Sequence, residues 1–483
     1  MLPPPEATEG DAYMDSGDYI VFQGTLAEYL RRVEAGELAS KLQASHAPPC
    51  KFQTAAAVIS GINNVVPIVH GPRGCAQSLR GARVAGCQYR GRPYEPTLCT
   101  ALDESQVIFG GEGKLARAIL EADRKYSPDL IVVMSTCCPG ITGDDVEGVA
   151  EQLRGQVRAE IATIRSEGFG GDFRSGHEDA FRVIVDLMDP PTETIPYSVN
   201  LVGARVGPSY TEVREDMQEL QDLLGQFGAK LHGVIAGGCT LAEVKRAPCA
   251  AVNTSWCFDW GRRIGLLMQE RFGVPFCESG LPYGLGATTD WVLKIAEPLG
   301  LLAQAHECIG RATERIAPDL EEAKRLLAGR RALIETGPMR AIALARMAAE
   351  LGMQAVVFNM HPYTLRERKE AIQFLLGSGE NPQVVLTRGA FEMGSYEASK
   401  QTQDEMEAFL GDAQDWVYFG SPSRFPGVPL VNLATEIGQP HFGFTGVQNI
   451  ARRASSAMRH AHRERSGLMR QAMYGVAIHG DLF

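Results

Sequence analysis

Three cysteines fall in one stretch of the chain, and two of them, Cys75 and Cys137, stand where a Gly- or Pro-rich turn feeds a helix. Cys50 precedes KFQTAAAVISGINN, Cys75 closes the turn HGPRG, and Cys137 lies in STCCPG ahead of GDDVEGVAEQL. At a helix start the peptide dipoles favour a thiolate over a thiol, and thiolates are the ligands of iron–sulfur clusters. Three of them in one α/β unit suit half of such a cluster. None belongs to a CxxC pair, so buried structural thiols are the competing reading on spacing alone. Cys257 follows the apolar-to-polar run AAVNTSW and opens another helical stretch, again at a helix start. Disulfides are not expected to absorb the 11 cysteines, because the acidic, Pro-rich N-terminus does not read as a secretory leader and the chain reads as cytoplasmic.

Such residues need strands that end in turns. Apolar runs at 129–135, 181–188, 198–206, 230–237, 331–337, 354–360, 382–388 and 415–421 read as buried strands. Helical patterns at 114–126, 209–228 and 339–353 separate them. The alternation predicts three Rossmann-like, doubly wound parallel-sheet domains: 50–195 with the three cysteines, 196–325 with Cys257, and 326–483. Sites belong at the carboxyl ends of the strands. Residues 1–49 read as an arm and a helix, and the basic stretch 447–475 as a solvated surface helix.

Composition narrows the function classes. The 483 residues are 45% hydrophobic and 22% charged, which excludes a disordered or fibrous chain. A net charge of −11 argues against nucleic acid as a partner. No apolar run reaches the length of a membrane span, so no membrane partner is expected.

The motifs HGPRGC (70–75), VIFGGEGKL (107–115) and CCPGITGDDVEGV (137–149) together resemble the α subunit of nitrogenase and its relatives, from about residue 50 to about residue 450. The resemblance implies a three-domain α/β fold around a buried metallocluster. It also implies that Cys50, Cys75 and Cys137 hold half of an [8Fe–7S] P-cluster shared with a homologous β-type (K) subunit in an α2β2 assembly. Cys137, rather than Cys138, stands six residues before the glycine of GDD, as in the family. The segment 237–276 resembles the one whose cysteine anchors the iron–sulfur–carbide cofactor, which puts Cys257 in that role. In SEGFGGDFRSGHEDAF, His177 matches a loop histidine thought to deliver protons; on residue type alone it would be a surface loop residue. Arg83 and Arg340 match arginines near the cofactor, and as residue types both are ordinary surface cations.

The second cofactor ligand departs from the family. The family reads His-Gly-Phe-Asp-Gly where this chain reads PHFGFTG (440–446), placing Phe442 in the ligand column and His441 one residue earlier. A one-residue shift would bring His441 to the metal, the expectation favoured here. The family glutamine near His177 and the lysine that helps hold homocitrate are missing; Arg424 is the substitute cation for homocitrate or another organic acid. The central metal is left open among molybdenum, vanadium and iron. Of the remaining cysteines, Cys138 is expected beside the cluster. Cys87 and Cys99 are candidates for the subunit interface, Cys239, Cys249 and Cys277 flank the Cys257 segment, and Cys308 reads as core.

Within the family, retention of Cys257 and His177 disfavours the tetrapyrrole reductases, and loss of the glutamine and lysine disfavours dinitrogen reduction. The altered surroundings most resemble the catalytic D-type subunit of methylthio-alkane reductases. That branch cleaves carbon–sulfur bonds of small thioethers such as dimethyl sulfide or 2-(methylthio)ethanol, giving methanethiol and a hydrocarbon. Electrons would come from a separate ATP-dependent [4Fe–4S] homodimer, since the chain has no GxxxxGK[ST] phosphate loop. A cofactor-assembly scaffold and a nitrogenase α subunit are the alternatives, with a metal-free α/β protein the most distant.

Overall fold

The computed structural model describes residues 20–38, 50–77, 96–203, 213–255, 258–336, 338–358, 381–387, 408–420, 427–433 and 439–460, with 373, 376, 377 and 379 besides. The chain order begins with β1 (Ile20–Thr25), α1 (Leu26–Glu34) and α2 (Lys51–Ile59). β2 (Val65–His70), β3 (Leu98–Cys99), α3 (Glu104–Phe109), α4 (Glu112–Tyr126) and β4 (Leu130–Ser135) follow, then α5 (Cys137–Thr142), α6 (Val146–Leu153), β5 (Glu160–Arg165) and α7 (Phe173–Asp186). The strands form a parallel sheet in the order β3-β2-β4-β5. β2 and β4 are buried at every position, because helices cover both faces and leave no side for polar residues. His70, Ser135 and Arg165 are in register at the carboxyl ends of β2, β4 and β5. The loops leaving these three ends carry the first site.

A second parallel sheet, β7-β6-β8-β9, comprises β6 (Ile195–Val202), β7 (Lys230–Ile235), β8 (Ala250–Ser255) and β9 (Phe276–Cys277). Around it lie α8 (Val213–Gln226), α9 (Leu241–Arg246), α10 (Phe258–Phe272), α11 (Leu285–Leu299) and α12 (Leu302–Leu327). The third part holds β10 (Arg331–Ile334), α13 (Pro338–Glu350), β11 (Gln354–Phe358), β12 (Gln383–Thr387), β13 (Trp416–Gly420), β14 (Leu430–Asn432) and α14 (Gly443–His460). Its sheet runs β1-β12-β11-β10-β13-β14, parallel except for β1. No helix of the described residues is long and apolar enough to cross a membrane.

Three expectations change. FRVIVDLM (181–188) is no strand: through Asp186 it is the second half of α7, begun by Asp172, whose carboxylate accepts from the Ser175 amide. Ala180, Phe181, Ile184, Val185 and Met188 are buried, a helical spacing that a short apolar run conceals. Residues 20–25 are not part of a separate arm but pair antiparallel with β12 at the edge of the third sheet. α14 is not a solvated helix either. Phe444, Val447, Ile450, Ala451, Ala454 and Met458 are buried in one core with Ile316 and Leu320 of α12. Its basic residues face that helix's acids: Arg452 Nε lies 2.9 Å from Asp319 Oδ1, and Arg459 pairs with Glu322.

Candidate metal-cluster site and cofactor pocket

Cys50 is the N-cap of α2, Cys75 lies in the helical residues 73–77, and Cys137 is the first residue of α5. Cys50 and Cys137 are exposed and Cys75 is half-buried. The Gly168 amide donates to Cys137 Sγ at 3.1 Å. A Cβ built at Gly168 would lie 3.4 Å from that sulfur and 3.8 Å from Cys50 Cβ, so this glycine sits between the two cysteines. Burial pushes the Cys75 thiol up; Cys50 and Cys137 push it the same way, a hydrogen bond from Thr136 opposes them, and Cys99 adds a smaller push. A thiol such as Cys75, whose ionisation its surroundings disfavour in the metal-free chain, is one that a cationic cluster core stabilises as a thiolate. Among the described residues no three His, Cys, Asp or Glu close around a single ion. Cys50 and Cys137 stand on either side of Gly168, and thiolates are the ligands that a multi-iron cluster takes.

The frame behind the thiols is polar and satisfied. His70 at the end of β2 bonds Thr100 Oγ1 through Nδ1 at 3.1 Å and Asp144 Oδ2 through Nε2 at 2.9 Å. Asp144 also accepts from the Gly111 amide at 3.0 Å, joining the α4 start to the α5–α6 turn. Burial lowers the His70 pKa, with Asp144 opposing the shift. In front of the thiols the surface is apolar. Ile108, Phe109, Ile141 and Phe169 are exposed to 72%, 85%, 76% and 64%. Ile141 is on the cysteine helix α5, which α3 touches, and Phe169 follows Gly168. Exposed apolar side chains, when they form one patch, are a feature of interaction surfaces.

The second constellation lies at the turn into α14. His441 is 1% exposed. Its backbone amide and that of Phe442 donate to Asp216 Oδ1 on α8 at 2.6 and 2.9 Å. Gly443, at φ +70°, is where a Cβ would strike the Glu219 carboxylate, and a Cβ at Gly446 would come 2.1 Å from the His441 carbonyl. These two glycines permit the HFGFTG turn. Arg453, three turns along α14, donates from Nη1 to His441 Nε2 at 2.9 Å and to the Asn432 carbonyl at 3.0 Å. Tyr283 stacks on the His441 ring at 6.4 Å, and the Arg340 guanidinium lies 5.9 Å from the Tyr283 centroid. Burial, with the charges of Arg453 and Arg340, pushes the His441 pKa down to about 3. The loop before α11 ties this turn to the end of β8: Ser279 Oγ donates to the Ser255 carbonyl at 3.4 Å, and the Gly443 amide to the Pro282 carbonyl at 3.0 Å. β8 ends at Ser255 and α10 begins at Phe258, so the residues flanking Cys257 have the strand-to-helix switch expected there.

Residues 50–459 match the family described as Nitrogenase component 1 type Oxidoreductase. The chain belongs to this family. It is 30% identical to the nitrogenase iron-molybdenum cofactor biosynthesis protein NifE of Methanococcus maripaludis, covering 64% of each chain. It is 27% identical to the protein of the same name from Nostoc sp., covering 88% of this chain and 87% of that one. Identity to the nitrogenase molybdenum-iron protein alpha chain of Methanothermobacter thermautotrophicus is 26%, over 83% and 86%. Among solved structures, "Nitrogenase Cp1 at pH 5" shares the fold with a TM-score of 0.64 at 23% identity, covering 85% of this chain and 88% of that one.

Against the nitrogenase component 1 pattern, the structure gathers Cys50, Cys75 and Cys137 in one place and His441 with Arg340 in another. His177 is not in a strand-end loop. It lies in α7, 5% exposed, where neighbouring Gly176 presses on α2: a Cβ there would meet the Lys51 carbonyl at 2.1 Å. Arg83, Arg424, Cys87 and Cys257 lie outside the described residues. Cys239, Cys249, Cys277 and Cys308 are buried, with the Cys239 and Cys277 thiols pushed up to about 11 by burial, the state of inert core thiols. Cys99 stands behind the Cys75 turn, donating from Sγ to the Gly71 carbonyl at 3.5 Å. Gly168, Asp216, Tyr283 and Arg453 were not legible as site residues. Only Gly168 had a signal, the SEGF motif; the others are brought in by long-range packing.

Proposed function

We propose that this chain is the α-type subunit of a nitrogenase-like heteromer. It holds half of an interfacial [8Fe–7S] cluster through Cys50, Cys75 and Cys137 and a second metallocofactor through Cys257. The observation that carries this reading is the set of three neighbouring cysteines, two of them flanking Gly168, beside exposed apolar side chains. A half-site open to the surface calls for a second, homologous subunit with its own thiols, and electron supply calls for a separate ATP-dependent [4Fe–4S] protein. The pocket at His441 suits an anionic cofactor, because Arg340 and Arg453 lie about a buried ring.

Of the tasks open to such a subunit, holding a cofactor for transfer to another protein is the reading we put first. Its support is the series of relatives named for iron-molybdenum cofactor biosynthesis. Phe442 adds to it. With a phenylalanine in the ligand column, buried in the core, Cys257 is left as the one bond this chain is expected to make to the second cofactor. The second reading, reductive cleavage of thioethers, rests on the combination of Cys257 with a buried His177. Bound at Cys257, the cofactor would supply electrons and open iron sites. The residues here would hold it, exclude water and, at His177, carry a proton; each carbon–sulfur bond cut takes two electrons and two protons.

One experiment separates the readings. The complex is purified without oxygen and given reductant, ATP and the ATPase partner, with dimethyl sulfide in one arm and a cofactor-free nitrogenase in the other. Activation of the acceptor with no methane or methanethiol supports the scaffold. Methanethiol formed at many turnovers overturns it in favour of the reductase.

A further inference from the structure

His441, one residue before the family's ligand column, is held in the wrong protonation pattern for a metal ligand. An arginine has only donors, so the 2.9 Å bond from Arg453 Nη1 makes His441 Nε2 the acceptor of the pair. A neutral imidazole with its lone pair at Nε2 carries its proton on Nδ1. Metal ligation needs the reverse, a lone pair toward the metal and a proton on the distal nitrogen given to a carbonyl or carboxylate. Here the distal position meets a cation instead. Arg453 has little freedom to turn away, since it also bonds the Asn432 carbonyl and Gln439 Oε1. Nδ1, meanwhile, is buried with no hydrogen-bond partner among the described residues, in a ring 1% exposed. A buried donor left without an acceptor costs roughly 1–3 kcal/mol.

We infer that His441 is an Nδ1–H donor to an anionic acceptor, a cofactor sulfide or a carboxylate of its organic acid, and not a metal ligand. The one-residue shift that would make it a ligand is thereby set aside for this chain. Arg453 fixes the tautomer, Asp216 fixes the backbone of the turn, and Tyr283 fixes the ring plane. Arg340 adds a second positive charge beside the acceptor position. The donor role assumes that a cofactor occupies this pocket, as proposed above; the tautomer does not.

The test has two parts. In the metal-free chain carrying ¹⁵N-histidine, the His441 resonances, assigned as those lost in His441→Asn, are expected to show protonated Nδ1 and unprotonated Nε2. Protonated Nε2 would overturn the inference. Citrate is then added in one sample, and cofactor is loaded in another. A shift of the Nδ1–H resonance with citrate alone identifies a carboxylate acceptor, and a shift only on loading identifies a sulfide; no shift in either overturns the donor role. In the loaded complex, pulsed electron paramagnetic resonance is expected to show no strongly coupled imidazole nitrogen, and His441→Asn, which keeps an N–H donor, to retain wild-type iron. A strong coupling abolished by His441→Asn would mean ligation and refute the claim. Wild-type iron no higher than in Cys257→Ala would instead sink the cofactor reading while leaving the tautomer result intact.

Discussion

At Gly168 the missing Cβ leaves open the gap between two cysteines proposed to share a cluster. Its amide already serves Cys137 Sγ, and the space a methyl group would fill is the space between Cys137 and Cys50. Gly168→Ala is therefore expected to leave the metal-free chain within about 0.5 kcal/mol of wild type while lowering iron bound at the interfacial site. Denaturant unfolding set beside iron analysis checks this, and wild-type iron in the variant would show that the gap is not used. His70 offers a different residue-scale test. Its folded pKa lies below its ordinary value because of burial, so the folded ring stays neutral where the unfolded one takes a proton. Stability is fully present above the unfolded pKa of about 6.5 and falls as pH drops below it. The denaturation midpoint of the metal-free chain is expected to decline more between neutrality and about pH 5 than that of His70→Gln. Equal slopes would contradict it.

Among the elements, α14 carries the sharpest correction. Read as a sequence, its arginines dominate; in the fold Arg452 and Arg459 pair with Asp319 and Glu322 and Arg453 turns to His441, while an apolar stripe enters the core. Ile450→Ala is expected to cost about 2–5 kcal/mol, as core truncations do, and Arg452→Ala under about 1 kcal/mol, as exposed pairs do. The reverse order would restore the solvated helix. Gly446→Ala should exceed both in its effect on the His441 turn, because its Cβ meets backbone that cannot step aside. Legibility followed the same physics. Strands such as Leu130–Ser135 and Gln354–Phe358 were visible because burial on both faces leaves only apolar residues. Phe181–Asp186 misled because a short apolar run has no period long enough to tell a buried strand from a helix. Ile20–Thr25 escaped notice because its partner strand lies more than three hundred residues away.

For the whole molecule, Cys50 and Cys137 are exposed beside exposed apolar side chains, whereas His441 and Tyr283 are buried. The cysteines could be read from local motifs because each sits at a strand or helix end whose sequence marks it. The His441 pocket could not, since Asp216, Tyr283 and Arg453 come from three separate elements that only the fold brings together. Cys50, Cys75 and Cys137 are proposed to supply one half of an interfacial cluster. The direct measurement is iron and sulfide per chain, with the electron paramagnetic resonance spectrum, for the complex purified without oxygen with its partner subunit, wild type beside Cys137→Ala. The account predicts an interfacial cluster in the wild type that is lost or spectrally altered in the variant while the cofactor signal persists. A colourless wild-type complex, or a variant with unchanged iron and spectrum, would contradict it.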